Sequence, residues 1–143
     1  MFYDRFEDRV QTWRSFRQQL ETHDDPLNHA IEFWNQAPIS SRTCDPYDRS
    51  SWLGPWELIR DNDYCDFSKL LAIYYTLALT DRFSDAHFEI AICLDRTRHQ
   101  SYYLLYVNNW VIGYQYDRAV DKKNLPETVK PLENYVLSAD DYH

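Results

Sequence analysis

The helix-forming stretch at about residues 64–79 contains DFSKLLAIYYTLAL, which is apolar on nearly every side. Phe67, Leu70, Leu71, Tyr74 and Ala78 fall on one face, and Ile73, Tyr75 and Leu77 widen it almost all round. A helix with no polar face must be enclosed by other elements, which makes it central to whatever fold the chain adopts.

The segments on either side supply the cover. Residues 4–22 carry Phe6, Val10, Trp13, Phe16 and Leu20 at spacings of four and three, with Arg, Glu and Gln opposite. A second helix is predicted to start at Asp25, a good N-cap, with Pro26 at the first helical position. Leu27, Ala30, Ile31 and Trp34 form its stripe, and Pro38 ends it. Asp63 is the natural cap for the central helix.

Three strands are predicted beyond it. In HFEIAICL, Phe88, Ile90, Ile92 and Leu94 alternate with His87, Glu89, Ala91 and Cys93. SYYLLYV and WVIGYQY follow, joined by Asn108-Asn109, a pair that tolerates the positive φ of a tight hairpin. The expected fold is α+β: N-terminal helices and a central buried helix packed on a three-stranded antiparallel meander. The expected core is Trp13, Phe16, Ile31, Trp34, Phe67, Leu70, Leu71, Tyr74, Ile90, Ile92 and Leu104, with Trp110 added.

One domain accounts for all 143 residues. Its parts are a helical region at 1–35, an irregular loop at 36–56, the helix and meander at 57–117, and an extension at 118–143 holding a short helix near Pro126 and Pro131. The loop, QAPISSRTCDPYDRSSWLGPW, has no periodicity, and only a short helical turn is expected at 56–59. Its Tyr47, Trp52 and Trp56 are candidate anchors for another protein chain, because large rings supply contact area at low rotamer cost.

A net charge of −8 argues against nucleic acid, which needs a basic face. The arginines of residues 5–17 alternate with carboxylates and read as a solvated helix face. No stretch approaches a membrane span, and nothing resembles a signal peptide. Only two glycines leave little room for a phosphate-cradling loop. Three cysteines without a C-x-x-C pair predict reduced thiols and no zinc site, and no cofactor is called for. Cys93 reads as structural and Cys44 as an incidental loop thiol. His23, His29, His99 and His143 read as surface residues.

Chemistry centres on Cys65. A thiol at a helix start is favoured as thiolate by the unpaired N–H groups there. Asp63 and Asp66 flank it and predict the opposite, a normal or raised pKa. His87 opens the next strand, but its parity matches Glu89, so an inward His87 would bury a carboxylate. The first expectation is that Cys65 is a small buried apolar residue.

Two resemblances add to this. CDFSKLL at 65–71 and HFE at 87–89 resemble the cysteine helix and histidine strand of transglutaminase-like and papain-like cysteine enzymes. That resemblance implies Cys65 as nucleophile, His87 as base and Asn108 as orienting residue. FWNQAPISS, DPYDRSSWLGPWELI, YCDFSKLLAIYYTLALTDRFS and LLYVNNWVIGY resemble a family encoded by large contractile-tailed phages of cyanobacteria. It implies a virion or host-cytoplasm location rather than secretion, and no defined activity. The expected function is a non-catalytic phage accessory or virion structural protein that binds other protein subunits. The competing expectation is a cysteine hydrolase or acyltransferase using Cys65, His87 and Asn108.

Overall fold

The computed structural model describes residues 1–40 and 44–138. The end of the C-terminal extension, His143 included, lies outside the described residues. Four α-helices, α1 (Phe6–Leu20), α2 (Pro26–Trp34), α3 (Pro55–Asp61) and α4 (Asp66–Ala78), precede five strands. These are β1 (Phe88–Asp95), β2 (Gln100–Val107), β3 (Trp110–Ile112), β4 (Val120–Asp121) and β5 (Val129–Leu137). They form one sheet in the order β4-β3-β2-β1-β5, with every neighbouring pair antiparallel.

α4 is enclosed as its sequence requires. It packs against α1, α2 and α3 on one side and against β2 on the other. All eleven core positions expected without reservation are buried, but Trp110 is 47% exposed. Trp110 begins β3 on the helix-facing side, paired with Val107 and in the parity of the buried Ile112, but it sits at the rim beside Pro26 and Leu27 and is left half open to solvent. Phe88, Ile90 and Ile92 face the helices, while Ala91 and Cys93 face the other way, as the alternation predicts. The Asn108-Asn109 hairpin forms, with Asn108 at φ 53°.

The three-stranded meander is too small. The 118–143 extension supplies β4 and β5 where a short helix was expected. β5 was hidden because VKPLENYVL contains Pro131 and leaves most of its side chains exposed, as suits an edge strand. Its pairing with β1 shifts register between Ile92 and Cys93. The turn expected at 56–59 is the full helix α3. WVIGYQY is a strand only as far as Ile112. Beyond it Gly113 has φ +107°, and an added Cβ would lie 2.2 Å from the Tyr103 carbonyl oxygen. Glycine is required there both for the dihedral and for the close backbone approach.

The irregular loop packs on its own molecule. The Trp52 ring lies 5.1 Å from Phe67 and 4.9 Å from Tyr135, and its Nε1 donates to the Asp45 carbonyl at 3.3 Å. Trp56 stacks edge-on with Trp13 at 5.4 Å but stays 51% exposed. Tyr47 is 56% exposed, and its carbonyl accepts from the Tyr135 hydroxyl. Trp52 is half-buried, so Trp52→Ala should cost about 1–3 kcal/mol, below the figure for a fully buried ring. Urea unfolding measures this, and a loss under about 0.5 kcal/mol would mean the ring contributes nothing to the fold.

Candidate active site

Cys65 is the N-cap residue of α4, with extended backbone (φ −110°, ψ 176°). The Ser68 main-chain N–H donates to Cys65 Sγ at 3.5 Å, and the Cys65 N–H donates to Ser68 Oγ at 2.8 Å. This reciprocal pair is a capping box in which sulfur replaces the usual oxygen. Asp63, the expected cap, instead accepts a hydrogen bond from the Ser40 hydroxyl. The cap was misplaced because cysteine is not a favoured capping type.

Burial pushes the Cys65 thiol pKa up, but hydrogen bonds outweigh it. The Ser68 hydroxyl and the main-chain N–H groups of Ser68, Cys44 and Phe67 converge on the sulfur, and the net shift is downward. The expectation of a normal or raised pKa is therefore wrong in sign. Flanking carboxylates were counted, whereas the donors came from the helix end and from a loop far away in sequence. The thiol is only partly buried and lines a recess of about 70 Å³ with Cys44, Ser51, Leu53, Asp63, Ser68 and Leu71.

Tyr103 lies on β2, within electrostatic reach of the thiol. Its ring meets Phe67 edge-on at 5.4 Å. Burial raises its pKa first, and negative charge at Cys65, Tyr47, Asp66 and Asp45 raises it further. The phenol is thus a neutral O–H donor at physiological pH. Asp66 and Tyr103 line a separate cleft of about 410 Å³, together with Lys69, Gln100, Gly113 and Gln115. Burial lowers the pKa of Lys69, against the opposing pull of Asp66.

His87 and Asn108 are brought together, but not with Cys65. The His87 main-chain N–H donates to Asn108 Oδ1 at 2.9 Å, and the Asn108 N–H donates back to the His87 carbonyl at 2.9 Å. The Asn108 side chain therefore orients the His87 backbone rather than its imidazole. The imidazole is exposed, with Nε2 3.7 Å from Glu89 on the face turned from the helices. Tyr74 meets Phe88, the neighbour of His87, at 5.1 Å. Nine residues of chain separate Cys65 from Tyr74, about 13 Å along a helix. His87 thus sits near the far end of α4. The strand parity of Glu89 signalled this, and the donor set on Cys65 had no sequence signal beyond the helix start.

No family model matches the chain, and no curated protein matches it in sequence. Two solved structures of LapG from Legionella pneumophila share its fold. One superposes with a TM-score of 0.68 at 18% identity, covering 96% of this chain and 82% of LapG. The calcium-bound form gives 0.67 at 18% identity, covering 93% and 79%. The chain therefore has the fold of LapG.

This overturns the expectation of a non-catalytic phage or virion subunit. The resemblance to a phage family finds no support, and the fold found is the one shared with LapG. The aromatic loop that suggests a protein-binding surface is partly spent on internal packing, as Trp52 shows. Among the described residues no group of three or more His, Cys, Asp or Glu side chains could hold a metal ion.

Proposed function

We propose that the chain is a cysteine hydrolase or acyltransferase of transglutaminase-like type whose nucleophile is Cys65, working without His87 and Asn108. The observation that carries this reading is the convergence of three main-chain N–H groups and one hydroxyl on a single partly exposed sulfur. Such donors stabilise thiolate without an adjacent imidazole.

In the proposed reaction the Cys65 thiolate attacks a carbonyl carbon and a C–S bond forms. The tetrahedral oxyanion collapses, the bond to the leaving nitrogen or oxygen breaks, and the leaving group takes the Tyr103 phenolic proton. Water or an amine then attacks the thioester, its proton returns to the Tyr103 phenolate, the C–S bond breaks, and the Cys65 thiolate leaves regenerated. The small recess suits an acyl carbon at the end of a slender chain.

The test is covalent labelling. Incubation with an activated peptide ester, followed by digestion and mass spectrometry, should place the acyl group on Cys65, with no such adduct in Cys65→Ala. Release of acid in wild type but not in Cys65→Ala completes the test. An adduct confined to Cys44 or lysines, with Cys65 unmodified, would refute the reading.

A further inference from the structure

The recess beneath Cys65 holds a second thiol. The main-chain N–H of Cys44 hydrogen-bonds Cys65 Sγ, and both cysteine side chains line the same space of about 70 Å³. An N–H···S bond sets the Cys44 Cα within about 5.5 Å of the Cys65 sulfur. The sulfur lies about 3 Å from its own Cα, so the two Cα atoms lie within about 8 Å, and disulfides join Cα atoms roughly 4.4–6.8 Å apart; side-chain rotation with a shift of the loop brings the two sulfurs to bonding distance. Cys44 lies in irregular chain, which can yield in this way, whereas Cys65 is fixed at a helix end. Both thiols are partly exposed, while Cys93 is buried on the other face of the sheet among Ala91, Leu104 and Val111.

We infer that Cys44 and Cys65 form a redox pair that a peroxide closes into a disulfide, with Cys44 as the resolving thiol. The Cys65 thiolate attacks one peroxide oxygen, the O–O bond breaks, and hydroxide leaves as Cys65 becomes a sulfenic acid. The Cys44 sulfur then attacks the Cys65 sulfur, the S–S bond forms, the S–O bond breaks, and water departs with the Cys44 proton. Two thiols supply two electrons, and one peroxide becomes two waters. The disulfide removes the thiol that the acyl-transfer reading needs, so oxidation would also switch that site off. The inference shares the nucleophile with that reading but does not require acyl transfer.

The experiment titrates the purified full chain with hydrogen peroxide at neutral pH and maps cysteines by non-reducing digestion and mass spectrometry. The expected product is a Cys44–Cys65 linked peptide that dithiothreitol releases, with free thiols falling from three to one. In Cys44→Ser and Cys44→Ala the link is absent and Cys65 proceeds to the sulfinic acid at a peroxide dose that leaves wild type reducible. Sulfinic acid at Cys65 to the same extent in wild type and both variants would overturn the inference. So would a disulfide that joins Cys65 to a second molecule. A linked peptide in a chain whose Cys65 takes no acyl probe would sustain the redox pair and refute acyl transfer. An acyl adduct without any linked peptide would do the reverse.

Discussion

Replacing Thr76 by valine is expected to destabilise the protein by about 2–6 kcal/mol, because two buried indoles lose one shared acceptor. Thr76 is fully buried in the middle of α4. Its Oγ1 accepts from Trp13 Nε1 at 2.9 Å and from Trp34 Nε1 at 2.8 Å, and it donates to the Ala72 carbonyl at 2.7 Å. One hydroxyl thereby pins α1 and α2 to α4. Valine matches the shape but offers no acceptor, and each unsatisfied buried N–H costs about 1–3 kcal/mol. That is a large share of a typical total of about 5–15 kcal/mol. Thr76→Ser keeps the hydroxyl and loses only a methyl, so it should cost about 1–1.5 kcal/mol. Urea unfolding of both variants decides the matter. Equal losses would show that packing, not the shared hydrogen bonds, dominates at this position.

The second large effect concerns Ser68→Ala. The Ser68 hydroxyl accepts from the Cys65 N–H, and its single proton can turn to the Cys65 carbonyl at 3.1 Å or to the thiolate. Removing it takes away one donor and leaves the burial that raises the pKa, so the thiol pKa moves up. Thiolate at neutral pH falls with it, and alkylation of Cys65 should slow by about tenfold or more, the worth of a hydrogen bond to a charged group. The variant also loses half of its capping box, for a further stability loss of about 1 kcal/mol. Site-resolved iodoacetamide labelling reads the rate. An unchanged rate would assign the thiol's state to the helix end alone.

The order of elements was legible because the signals were local. The α4 stripe, the Pro26 start of α2 and the alternation in β1 each fix a periodicity within a few residues. β5 was illegible for the opposite reason. An edge strand with Pro131 and exposed Leu132 and Val136 has no face to keep apolar, so the alternation that marks a strand never arises. Trp110 has the parity of the core, but it is the first residue of a three-residue strand, and no periodicity tells how far such a rim position is covered. At the site, the helix-start position of Cys65 and the outward parity of His87 could both be read. The Cys44 N–H could not, because an irregular loop brings it to the sulfur and no spacing rule governs such a contact. Tyr103 was missed for a related reason: its place within electrostatic reach of Cys65 depends on how β2 lies against α4.

The central claim is that Cys65 is held as a nucleophile by its own hydrogen-bond donors. The pH dependence of its alkylation, resolved by mass spectrometry against Cys44 in the same molecule, tests this most directly. Thiolate is the reacting form, so a lowered pKa shifts the rise in rate to lower pH. The structure predicts a Cys65 midpoint below the value the same thiol has in the unfolded chain, and the same midpoint in His87→Ala. A midpoint at or above that value, or one that moves upward when His87 is replaced, would contradict it.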